Sequence, residues 1–99
     1  MEELDSEFVE LVSDFLESSH RLREAAELCD EDPIKQDMIK GIVEPFQDAQ
    51  RRSTTLRHLS ETDYEKNRAF ILSELKELTQ INNEMASEIE KKLRPLSWN

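Results

Sequence analysis

Apolar residues return every three or four positions along three stretches of this chain. In the first, Phe8, Leu11, Phe15, Leu22, Ala25 and Cys29 repeat, with Ser18 interrupting and Leu4, Val12 and Ala26 widening the stripe. In the second, Ile39, Ile42, Phe46, Ala49 and Leu56 repeat, with Ser53 in the register. In the third, Ile71, Leu75, Leu78, Met85 and Ile89 repeat, and Asn82 takes the remaining position. Such spacing puts one apolar face on each of three helices. Helices this long are marginal alone in water, so the faces must pack on one another.

Punctuation sets the boundaries. Asp32 before Pro33 is a helix start, with the aspartate as N-cap and the proline where a missing N–H costs nothing. Thr62 with Glu65 three residues on forms a capping-box pattern, and Ser60 with Asp63 offers a competing register. Pro95 is expected to end the last helix, because the residue before a proline avoids the helical region. The reading is an all-α single domain over residues 1–99, with helices near 5–29, 33–59 and 63–94. Short connections make successive helices antiparallel, which predicts an up-down-up three-helix bundle. An intermolecular coiled coil is the competing arrangement. Pro45 falls inside the second helix, where its ring crowds the carbonyl of residue 41 and removes a hydrogen bond. Residue 41 is the only glycine, so the expectation is a continuous helix kinked near Pro45, either a static bend or a hinge.

Charge sharpens the picture. The 99 residues carry 23 Asp plus Glu against 13 Lys plus Arg, a formal charge of −10. Residues 1–32 hold twelve acids and two bases, a balance of −10, whereas 33–60 balance at +2 and 61–99 at −2. Glu3, Glu7, Glu10, Asp14, Glu17 and Glu24 follow the 3-4 spacing on the side of the first helix away from its apolar stripe. One-sign fields steer oppositely charged partners, so these six form a candidate acidic steering face. Nucleic acid and anionic membrane surfaces are unsuitable partners for such a chain. Arg51, Arg52, Arg57 and His58 lie toward the end of the second helix, where cations complement the helix dipole. No apolar run approaches the roughly 18 residues of a membrane span. The acidic Met1-Glu2-Glu3-Leu4-Asp5 is unlike a signal peptide, and the single Cys suits a reducing compartment, so a cytoplasmic location is expected.

Candidate chemistry is sparse. The sequence has no HxxxH, CxxC or EF-hand spacing, and one glycine cannot build a phosphate loop, so no metal, cofactor or catalytic residue is expected. Asp30, Glu31 and Asp32 read as capping residues, and Cys29 lies on the apolar stripe as a small core residue. Ser19-His20-Arg21-Leu22-Arg23 is similar to the phosphoacceptor box of histidine-kinase dimerisation helices, although Arg21 replaces the usual acid and Glu24-Ala25 the usual Thr-Pro. That resemblance implies a histidine phosphotransfer domain using His20.

The third helix carries two further resemblances. Leu75, Leu78, Asn82 and Met85, continuing to Ile89, resemble the C-terminal helix of flagellar hook-associated-protein export chaperones, with Asn83 in place of that family's glycine and Thr79 in place of a frequent Asn. The resemblance implies a small acidic cytoplasmic chaperone whose last helix receives a client's disordered end. Asn82-Asn83 and Met85 also resemble the last helix of three-helix ubiquitin-binding domains of trafficking adaptors. Read from the residues, a polar Asn82 on an apolar seam fixes helix register or finds an internal partner. Met suits an adaptable binding surface. The expectation is a non-enzymatic adaptor or export chaperone that receives an amphipathic segment of a partner protein on Leu75, Leu78, Asn82, Met85 and Ile89. A structural coiled-coil subunit or homo-oligomer is the alternative. The only Trp, Trp98, is expected to dock back on the bundle or to anchor a partner.

Overall fold

The computed structural model describes residues 5–97, with side chains described through Arg94. Four helices follow one another: α1 (Ser6–Glu27), α2 (Pro33–Met38), α3 (Lys40–Thr62) and α4 (Tyr64–Ser97). Among the described residues the chain is all-helical, with no strand. No helix there is long and apolar enough to cross a membrane.

Of the two starts the sequence marks with caps, the one at Asp32 forms. Asp5 accepts from the Phe8 backbone N–H at 3.3 Å and starts α1. Asp32 accepts from the Ile34 N–H at 2.9 Å, with Pro33 opening α2. Between them the chain turns through residues 28–32, where Asp30 adopts a left-handed φ of 53°.

The expected second helix is divided, and this corrects the count from three to four. The break is at Ile39, with φ −111° and ψ 13°. Its N–H is shared between the carbonyls of Lys35 and Gln36 at 3.3 Å each, and its carbonyl accepts from Ile42 in a tightened turn at 2.9 Å. α3 then runs without interruption through Pro45. A proline disturbs the turn preceding it, because its ring crowds the carbonyl four residues back. The break falls at Ile39, two residues before the carbonyl that the ring crowds. Gly41, inside that turn, has nothing within 4 Å of where a Cβ would stand.

Neither capping box forms at the third start. Thr62 donates its hydroxyl to the His58 carbonyl at 2.7 Å and Ser60 donates to Leu56 at 2.9 Å, both inside α3. Hydroxyls bonded back to i−4 carbonyls extend a helix rather than start the next one. Asp63 is the single residue between α3 and α4, and its carbonyl accepts from the Asn67 N–H at 3.2 Å. α4 continues past Pro95 to Ser97, at the cost of one backbone hydrogen bond close to a helix end.

α4 is the spine. Ile71, Leu72, Leu75, Leu78, Asn82, Met85, Ala86, Ile89 and Leu93 are buried along it. α1 contributes Ser18, Leu22 and Ala25, and α3 contributes Ala49 and Leu56. Phe8, Leu11, Val12 and Phe15 pack half-buried against this core. Ala26 and Phe46, expected on apolar stripes, are exposed. The molecule is long, 55 × 22 × 17 Å, with a radius of gyration of 15.9 Å against about 13 Å for a compact chain of this length. A rod of this kind has little interior and much lateral surface.

Candidate interaction surface

The five residues expected to receive a partner are all buried. Leu78 has no exposed surface, and Leu75, Asn82, Met85 and Ile89 are nearly as enclosed. The face expected as an open groove is filled by the chain's own α1 and α3. Physically, three apolar faces joined by short connections are present to each other at high effective concentration, and they satisfy one another before any partner arrives.

Asn82 finds its partners on α1. Its side-chain amide donates to Ser18 Oγ at 3.1 Å and to Ser19 Oγ at 3.2 Å, while Ser18 donates onward to the Phe15 carbonyl at 2.7 Å. Beside it the Arg21 guanidinium donates to Asn83 Oδ1 at 3.2 Å, Ser87 Oγ at 2.9 Å and Glu90 Oε1 at 2.9 Å. These bonds tie α1 to α4, since the buried amide needs the serine hydroxyls as acceptors and the Arg21 contacts fix which residues face Asn83, Ser87 and Glu90.

A second clasp holds the beginnings of the same two helices. Asp5 accepts from Arg68 Nε at 2.6 Å and from the Tyr64 hydroxyl, while Arg68 also reaches Glu7 at 3.2 Å. Hydrogen bonds from Arg68, then from Tyr64, hold the Asp5 carboxyl well below the usual carboxylate range. The same carboxylate raises Arg68 further, and desolvation, then the Asp5 hydrogen bond, raises the Tyr64 phenol. The Tyr64 ring meets Phe8 edge-on, with centroids 4.9 Å apart. On the other side of α4, Arg52 bonds Glu74 at 2.8 Å and Glu77 at 2.9 Å, which hold its guanidinium above its ordinary value.

The acidic face divides into paired and unpaired members. Glu3 and Leu4 lie outside the described residues, as does Trp98. Glu7 pairs with Arg68 at 3.2 Å and approaches Lys76 at 4.0 Å, and Glu24 lies 2.8 Å from His20 Nε2. Glu10, Asp14 and Glu17 are exposed and have no ion-pair partner among the described residues. Val9 and Leu16, 46% and 59% exposed, stand two turns apart on another side of α1, about 100° around the helix from these acids. The apolar stripe gave no sign of these two, because they lie off it. Asp14, Glu17 and Glu24 also line an open groove between α1 and α4, together with the basic His20 and Arg21 and with Ser18, Thr79 and Asn83.

The remaining sequence candidates are placed as follows. His20 is exposed on α1 against Glu24, and Cys29 is buried in the core. Arg51 is taken by Asp48 at 2.8 Å, while Arg57 and His58 are exposed on α3. Among the described residues no group of three His, Cys, Asp or Glu side chains is arranged to hold a metal ion. Compared with known proteins, the chain matches no family model, no curated protein and no solved structure.

Proposed function

We propose that this protein is a non-enzymatic helical adaptor that recruits a basic, amphipathic segment of another protein onto the outer face of α1. The observation that carries the reading is the exposed triad Glu10, Asp14 and Glu17, which has no ion-pair partner among the described residues, on a helix that also exposes Val9 and Leu16. A solvated helix face ordinarily mixes signs, as α4 does with Glu88–Lys92 at 3.1 Å. A stripe of acids raises the local concentration of a cationic partner, and the exposed apolar side chains elsewhere on the same helix give an amphipathic one something to bury. The docking surface thus moves from the α4 face to α1.

In this reading α1, α3 and α4 form the up-down-up bundle, with α2 as a short appended helix. The pairing of Asp5 with Arg68 and of Arg21 with Glu90 supports it, as does Arg52 meeting Glu74 at equal distances in sequence from Asp63. The protein works in the cytoplasm, in the manner of a small export chaperone or trafficking adaptor, and needs no cofactor. Binding of a basic amphipathic helical peptide to wild type and to the Glu10→Lys, Asp14→Lys, Glu17→Lys triple variant tests the proposal. The variant should bind at least about tenfold more weakly, and equal affinities would sink the α1 site.

A further inference from the structure

α1 is attached to the body of the protein differently from α3. Among the described residues, every hydrogen bond or ion pair that α1 makes with another helix goes to α4: Asp5 to Tyr64 and Arg68, Glu7 to Arg68, Ser18 and Ser19 to Asn82, and Arg21 to Asn83, Ser87 and Glu90. Those contacts advance along both helices together, so the receiving side of α4 specifies direction and register. α3, by contrast, is joined to α4 through one intervening residue, Asp63, and cannot separate from it without unmaking that tight corner.

The covalent link between α1 and the rest is a strained turn. Asp30 holds a left-handed φ of 53°, a conformation that costs a residue with a Cβ free energy in a way that it does not cost glycine. Glu27, Asp30, Glu31 and Asp32 crowd negative charge around the same bend. Short hinges under strain favour exchange of the element they connect, because opening relieves the bend while every other contact can be remade in a second molecule.

We propose that α1 is an exchangeable element, and that in concentrated solution two copies of this chain trade it, the α1 of each seating on the α4 of the other. The occupant is a second copy because the α1 of another molecule carries every group that α4 already engages: an acid for Arg68, hydroxyls for Asn82, and a cation for Asn83, Ser87 and Glu90. No new surface is needed, since the dimer reuses the interface already inside the monomer. Two hinges brought side by side juxtapose their acids, so the exchanged dimer gains from added salt. A basic partner on the outer face of α1 is weakened by it.

A charge-exchange pair tests this. One variant carries Arg21→Glu and the other Glu90→Arg; each sets like charges against each other when α1 packs within its own chain. In an exchanged heterodimer both pairs are opposite again, Glu on Arg and Arg on Glu. Native mass spectrometry and sedimentation velocity are read on each variant alone and on the two after incubation together. The mixture should form heterodimer at least about fivefold above either homodimer at low salt, a preference that salt reduces as it screens the pair. Absence of heterodimer, or dimer formed equally by each variant alone, overturns the proposal. The chain with residues 30 and 31 deleted checks the hinge independently of these charges. It should be a helical dimer, because the shortened turn no longer lets α1 fold back, and a helical monomer would contradict exchange.

Discussion

Replacing Asn82 by alanine isolates what fixes α1 on α4. The amide is 6% exposed and donates to two serine hydroxyls of α1, at 3.1 and 3.2 Å. Each neutral hydrogen bond contributes about 1 kcal/mol net, so losing both costs about 2 kcal/mol. The space left by the truncated side chain adds roughly 0.5 kcal/mol. The total of about 2–3 kcal/mol is a large share of the roughly 5–15 kcal/mol expected for a domain of this size. Urea unfolding followed by circular dichroism at 222 nm reads it directly, with the midpoint lowered and the slope unchanged. A cycle with Ser18→Ala should show coupling of about 1 kcal/mol, because the two side chains lose the same bond. Asn82→Leu restores packing without donors and should lie above Asn82→Ala in stability. An Asn82→Ala variant within about 0.5 kcal/mol of wild type, or a cycle without coupling, would refute the assignment of Asn82 as a tie between α1 and α4.

Three further outcomes are expected. Leu78→Ala should cost about 2–5 kcal/mol in the same unfolding assay, since Leu78 is wholly enclosed where α1 and α3 meet α4. Gly41→Ala should be neutral or stabilising by up to about 1 kcal/mol, because the site is open and helical; a clear loss of stability would show that the turn before Pro45 needs glycine. The Asp5 carboxyl is held below its unfolded value, so its contribution is fully present above that value of about 3.9 and is lost as pH falls. Urea midpoints of wild type should therefore drop more steeply than those of Asp5→Asn between about pH 4 and pH 2, and parallel curves would contradict the clasp.

The helical faces were legible because the 3-4 spacing is local: the positions from Ile71 to Ile89 are buried as that spacing requires. Ser18 interrupting the α1 stripe and Asn82 interrupting the α4 stripe were two halves of one contact, visible separately but joined only by the fold. Spacing shows that a face is apolar and is silent on what covers it, which is why the expected groove on α4 proved to be core. The break at Ile39 escaped because the proline's clash points to residue 41, inside α3, and nothing at Ile39 itself marks a helix end. The Asp5–Tyr64–Arg68 clasp joins residues about sixty apart, and no local pattern encodes such a pairing. The acidic face was legible from charge, but which acids stay free depended on Arg68, Lys76 and His20 lying beside the others.

Recruitment by α1 is tested most directly by the ionic-strength dependence of association. Stopped-flow mixing of wild type with a basic amphipathic helical peptide should give an on-rate that falls steeply from low to high salt, as the Debye length shrinks to about 10 Å and below. In the Glu10→Lys, Asp14→Lys, Glu17→Lys variant the rate should be lower and lose that dependence. A wild-type rate indifferent to salt, or the same salt dependence in both proteins, would contradict recruitment by the acidic face.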